Sequence, residues 1–325
     1  MSTKDEQDLA DKEQKAALAA VEHVQLQQQL QTLIQKVQAA ERLKINVQMS
    51  SSLLPWLRDH HLNIVFTTGA ASKLLMLSLT QDHHKLVLRE LYFNQCRALL
   101  CQNQNTLYLA TRQKIWRLYN AVPTGQEIDD LQRIFIPQSG YITGELGVCD
   151  LAIEAHERLI FVNPLFSCLA TVSPTHSFTP LWKPAFISQL VAENRCGLSG
   201  DAMLNGIPKY VSAAASTDSA QGWQQQPLNS GILIDVPTNE IVLSGLERPC
   251  CPRFHNEQLW LAERGSGYLG YVDLNSMEFK RITLCPGHIQ SVRFHAHYAV
   301  VGVARPDPQQ ADSLPLLASL TEHHV

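Results

Sequence analysis

Leu107-Tyr-Leu-Ala-Thr-Arg112 and Leu259-Trp-Leu-Ala-Glu-Arg264 are one strand written twice. Looser copies stand at Leu62–Thr67, Leu159–Asn163, Tyr210–Ala213 and Tyr298–Val303. They recur at intervals of about 40–50 residues, the period of a four-stranded propeller blade. The clearest whole blade runs from Pro252 to Thr283. Arg253-Phe-His255 opens it, Gln258–Glu263 follows, the Gly265-Ser-Gly267 turn leads into Tyr268–Leu274, and Glu278–Thr283 closes it. Arg293-Phe-His295 repeats the opening, and Ile234-Asp235 anticipates Val272-Asp273. A hairpin of this kind buries one apolar face and needs stacked neighbours to complete a core. The pattern predicts an all-β chain, a β-propeller of about six blades with the last incomplete. A pair of β-sandwiches is the alternative architecture.

Working outward toward the N-terminus, the texture changes at Pro55. The first 54 residues contain no proline and the first 68 no glycine, and they are rich in good helix formers. Leu26, Leu30, Leu33, Val37 and Ala40 alternate steps of four and three, as an a/d seam requires. Residues 1–54 therefore read as an α-helical, coiled-coil-like arm, residues 55–306 as the propeller, and residues 307–325 as a C-terminal tail. The arm suggests self-association or docking of a protein partner through residues 1–50; an amphipathic helix folded onto its own body is the competing reading.

Composition narrows the function classes. Of 325 residues, 45% are hydrophobic and 17% charged, enough for a sizeable core. The net charge of −4, without any basic run, argues against nucleic acid. The charged N-terminus lacks the apolar core of a signal peptide, and no stretch approaches the roughly 20 apolar residues that span a bilayer. Eight cysteines in such a chain read as reduced thiols, which points to the cytoplasm.

The segment Phe166–Ser188, FSCLATVSPTHSFTPLWKPAFIS, resembles the signature of an uncharacterised bacterial family of propeller-like conserved hypothetical proteins. Leu107–Arg117, Gly231–Val236, Cys251–His255 and Tyr298–Gly302 extend the resemblance across most of residues 60–320. The resemblance implies histidines in the segments opening three successive blades. Cys149, Gly197 and Cys250 stand at the matching positions here, so a metal or substrate role for those histidines would be altered or lost. It also implies a further strand-rich stretch after Pro306. The short tail in its place predicts an exposed sheet edge, to be covered by the arm or by a second subunit.

In a propeller the innermost strand of each blade lines the central channel. Cys96-Arg97, Cys149-Asp150, Cys196, Cys250-Cys251-Pro-Arg253 and Gln290 with Arg293 all fall at the start of such strands. Thiolates with a carboxylate suit zinc or copper(I), which makes Cys149, Asp150, Cys196 and Cys250 candidate metal ligands. No CxxC or HExxH spacing accompanies them, and buried inert cysteine is the commoner role in a β core. Arg97, Asp150, Arg253 and Arg293 are candidates for binding a ligand's carboxylate or phosphate; a salt bridge holding blades together is the plainer reading. Ser199 is a weaker candidate, because Gly197-Leu-Ser-Gly200 lacks the full nucleophile-elbow spacing. His176 and Trp182 belong to the signature segment, His176 as a loop cap or ligand contact and Trp182 as packing between blades. Trp223, in the polar stretch Ser216–Gln226, looks exposed and is a candidate partner anchor; an idle loop is the competing reading.

Two function classes follow. The first is a non-catalytic propeller that binds or assembles, its ligand unspecified. The second is a metal-assisted enzyme with its site at the central channel, acting on a small or peptide-like substrate. No complete catalytic motif favours the second.

Overall fold

A computed structural model describes residue 28 and residues 47–69, 71–80, 84–123, 125–126 and 133–304. Most of the expected helical arm and the whole of the expected tail lie outside the described residues.

Among the described residues the architecture is all-β. Four complete four-stranded antiparallel blades follow one another along the chain. The first holds β4 (Ala98–Asn103), β5 (Thr106–Ala110), β6 (Lys114–Asn120) and β7 (Phe135–Ile142). The second holds β8 (Asp150–Ile153), β9 (Leu159–Asn163), β10 (Cys168–Thr171) and β11 (Thr179–Trp182). The third holds β12 (Leu198–Leu204), β13 (Ile207–Ala213), β14 (Gly231–Asp235) and β15 (Glu240–Leu246). The fourth holds β16 (Pro249–His255), β17 (Gln258–Glu263), β18 (Tyr268–Asp273) and β19 (Glu278–Leu284). Two smaller sheets stand at the ends: β1 (Ile64–Thr68), β2 (Lys73–Leu79) and β3 (Leu86–Tyr92), and the hairpin β20 (His288–His295) and β21 (Tyr298–Ala304).

The strand quoted first is the second strand of its blade. Its copies fall on β5, β9, β13, β17 and β21, with a sixth on β1. That sixth copy explains why the repeat count reads one blade too many. The sheet of β1–β3 has no inner strand of its own, so inner strands number five: β4, β8, β12, β16 and β20. The propeller has five blades rather than about six.

Position in the blade sets the burial. The middle strands β5, β9 and β14 are buried at every residue, as strands covered on both faces must be. The outer strands β7, β15 and β19 are largely exposed. Pro137 and Pro180 sit on the outer strands β7 and β11, where a missing N–H removes no ladder bond on the open side. Apolar clusters fill the space between consecutive blades. Phe161, Leu151 and Ala170 meet Tyr108, Ala110 and Ile115, and Val211 and Ile234 meet Val162 and Leu169.

The α-helix α1 (Leu53–Asp59) crosses the arm–propeller boundary expected at Pro55. Pro55 falls in its first turn, where the missing N–H had no intrahelical partner to lose. Leu57 is fully buried. Trp56 and His60 pack edge-on against Tyr298 of β21, at 5.3 and 4.9 Å between ring centroids. The predicted open edge of the last blade is thus partly covered from within the chain. No described helix is long and apolar enough to cross a membrane.

Candidate functional site

Neighbouring inner strands lie against one another from β4 through β20. The ring closes where Arg293 of β20 donates from Nη2 to the Leu99 carbonyl of β4 at 3.2 Å. A bulge in β16 between Cys250 and Arg253, with Cys251 in the left-handed region at φ +52°, reshapes this strand's inner face. Gly200 of β12 lets it approach. A Cβ there would meet Pro252 Cδ at 2.8 Å, the Cys251 nitrogen at 3.0 Å and Asp150 Oδ2 at 3.3 Å.

Asp150 is the hub. It is 4% exposed, and Arg253 grips it with both arms, Nη1 to Oδ2 at 2.8 Å and Nη2 to Oδ1 at 2.6 Å. Asp150 also accepts from the backbone N–H of Leu151 at 3.0 Å and of Asp201 at 3.3 Å. Arg253 Nη1 donates further to the Asp201 and Pro252 carbonyls. Burial disfavours the Arg253 charge, but Asp150 outweighs it and holds the guanidinium above its ordinary range. Arg293 is more loosely attached, with Nη2 at 3.9 Å from Asp150 Oδ1. The neighbouring Arg253 charge, with burial, lowers its pKa.

Asp201 differs from the other buried carboxylates among the described residues. It is 2% exposed, yet neither side-chain oxygen has a hydrogen-bond partner. Glu263, also fully buried, instead accepts from Arg281, Ser266 and the Glu247 N–H. Burial, reinforced by the Asp150 charge and opposed by Arg253 and Arg293, pushes Asp201 up to about 7.

The thiols form a separate group. Cys250 and Cys251 donate to successive β20 carbonyls, those of Ile289 and Gln290. A hydrogen bond between the two, against the cost of burial and aided by Arg253, brings Cys251 down to about 7 and leaves Cys250 well above its ordinary range. Burial, then the Asp150 charge, raises Cys149, whose Sγ faces the Leu198 carbonyl at 3.7 Å. Burial raises Cys196 to about 12 inside the apolar cluster between the second and third blades.

The structure brings together Asp150, Arg253 and Arg293, with Cys149 and Cys250 near them, and leaves Arg97, Cys196, Ser199 and His176 elsewhere. Arg97 is exposed just before β4. Ser199 is tied to Ser212 and to the Pro249 carbonyl, which its hydroxyl reaches at 2.6 Å. His176 lies in the exposed loop between β10 and β11, beside Thr175. The four candidate metal ligands are not one cluster: among the described residues no three His, Cys, Asp or Glu side chains gather to hold an ion. Trp182 packs against the cluster between the second and third blades. Trp223 is no exposed anchor: Arg248 lies over its ring at 4.8 Å, and the ring stands close against Gly197. Asp201 and Arg264 were not among the candidates. Asp201 had a signal, an acidic residue on an inner strand like Asp150; Arg264 ends the repeated strand and lies near all three channel thiols.

The fold is similar to that of the virginiamycin B lyase from Staphylococcus aureus, at 13% identity over 74% of this chain and 73% of that one, with a TM-score of 0.45. A Lactobacillus plantarum protein is similar at 12% identity over 68% and 67%, with a TM-score of 0.42. A luciferin-regenerating enzyme is similar at 12% identity over 72% and 76%, with a TM-score of 0.43. No curated protein sequence matches the chain. The family match runs past residue 306 and lends no support to the expected C-terminal shortening. Matching that family over residues 51–324, the chain belongs to DUF4915, a domain of unknown function.

Proposed function

We propose that this chain is a non-catalytic binding or assembly propeller of the cytoplasm, with residues 1–50 serving self-association or a protein partner. One observation carries the reading. Asp150 and Arg253, at the axis, are spent on one another, since Arg253 saturates both oxygens of Asp150. A carboxylate held this way is neither a free base nor a nucleophile; it joins the second blade to the fourth. Exposed isoleucines on outer strands, Ile136 and Ile142 on β7, Ile241 on β15 and Ile282 on β19, add apolar contact points at the rim. The eight cysteines are free thiols, in keeping with a reducing compartment.

The alternative, a metal-assisted enzyme at the channel acting on a small or peptide-like substrate, draws its support from unpartnered Asp201 alone. Light scattering of the full chain beside a variant lacking residues 1–46 tests the favoured reading. A defined oligomer or partner complex that dissociates in the shortened chain supports it. An unchanged assembly state and unchanged partner recovery would remove it.

A further inference from the structure

Two histidines far apart in the sequence meet where α1 packs on the last hairpin. His60 caps the C-terminal end of α1, and His295 ends β20, paired with Tyr298 across the turn. Their ring centroids are 6.1 Å apart, with planes at 83°. Both supports are braced. Trp56 at 5.2 Å and Tyr298 at 4.9 Å flank the His60 ring. The hairpin turns through Ala296, in the left-handed region at φ +48°, and the Ala296 carbonyl accepts from His255 Nε2 at 2.7 Å. Side chains carried on fixed supports need little ordering when a ligand binds them.

The nitrogens of this pair are not spent on the protein. His255 and His288 each give a ring nitrogen to a backbone carbonyl, whereas among the described residues His60 and His295 make ring contacts only. His60 is half-buried and His295 exposed, so the pair borders solvent. Neutral imidazole is a preferred ligand of zinc, nickel and copper. With a metal–nitrogen bond of about 2.0–2.1 Å, two imidazoles on one tetrahedral ion set their ring centres about 5 Å apart. The observed 6.1 Å is wider by about 1 Å, a gap that rotation of two side chains at the surface closes. No third His, Cys, Asp or Glu joins them among the described residues, so water completes the ion's shell.

We propose that His60 and His295 form a two-histidine site for a divalent transition-metal ion, which staples α1 to the hairpin of β20 and β21. Each imidazole supplies one nitrogen lone pair and displaces one water from the ion. The ion grips both elements only while α1 lies on the hairpin, so occupancy stabilises that contact. The site uses none of the charged groups at the axis and does not depend on residues 1–50.

Calorimetric titration of the full, tag-free chain with nickel(II) and zinc(II), after removal of metal by a chelator, tests the site. Magnesium(II), which takes oxygen ligands, is the control. Saturable binding of nickel and zinc is expected, with slower amide exchange in α1, β20 and β21 when the ion is bound. His60→Ala and His295→Ala, each verified as folded by far-UV circular dichroism, should each weaken binding at least about tenfold and abolish the slowed exchange. His61→Asn and His297→Gln, neighbours in sequence outside the site, should leave both unchanged. His295 is exposed beside the turn, so its variant keeps the test valid should His60→Ala fail to fold. Undiminished binding in a folded His60→Ala or His295→Ala would overturn the site and assign the ion to other groups, such as His323-His324 or the exposed thiol of Cys101. Absence of saturable binding by both ions, equal binding of magnesium, or loss of binding in His61→Asn or His297→Gln would overturn it as well. Light scattering reads assembly through residues 1–50 independently, so failure here and failure of the assembly reading are distinguishable.

Discussion

Asp150 and Asp201 are both carboxylates on inner strands, both almost fully buried and joined by one backbone hydrogen bond, yet they have opposite fates. Asp150 is gripped by a bidentate arginine, the geometry in which a carboxylate keeps its charge in a low-dielectric interior. Asp201 has no donor, and burial lifts it from its ordinary 3.8 to about 7. The folded state therefore holds that proton more tightly than the unfolded chain does. The stability this contributes is fully present below about pH 4 and is lost as pH rises through about 7. Asp201→Asn should flatten this fall in urea-unfolding curves measured between about pH 4 and pH 8. A parent and variant with the same pH slope would show that Asp201 is not buried without a partner.

At the scale of the element, backbone approach decides what the inner strands tolerate. Gly200→Ala places a methyl against Pro252, the Cys251 nitrogen and the Asp150 carboxylate, so β12 and β16 must separate. A loss of roughly 1–3 kcal/mol is expected, read from the urea midpoint at unchanged slope. No loss would mean that the two strands can part freely. Such constraints were illegible beforehand. The second strands could be read because their runs of Leu, Val, Ile and Ala must be buried on both faces, whatever surrounds them. Asp150, Arg253 and Arg293 could be placed because they open repeated elements. The bulges in β12 and β16, and the close approach of Gly200 to Cys251 and Pro252, could not, because nothing in the alternation of the strands announces them. Cys196, although it precedes an inner strand, lies in an apolar cluster.

For the whole molecule, the question is how a chain with two partial sheets closes a ring. Counting repeated strands gives six; counting inner strands gives five, because β1 copies the repeat without bringing a strand to the axis. The ends then meet through side chains: Arg293 on the Leu99 carbonyl at the axis, and α1 on Tyr298 farther out. Trp56→Ala should lower stability by roughly 1–3 kcal/mol and raise amide exchange first in β20 and β21. Uniform exchange across all blades would place closure elsewhere.

The central claim is that the charged axis is a clamp between blades that were far apart in sequence. A double-mutant cycle with Asp150→Asn, Arg253→Met and both together, followed by urea unfolding, tests it most directly. Each single change leaves a buried polar or charged group without its partner and should cost roughly 3–5 kcal/mol. The double variant should lose far less than the sum, with a coupling of roughly 2–3 kcal/mol. Additive losses, or single variants as stable as the parent, would show that the pair does not hold the blades and would contradict the account.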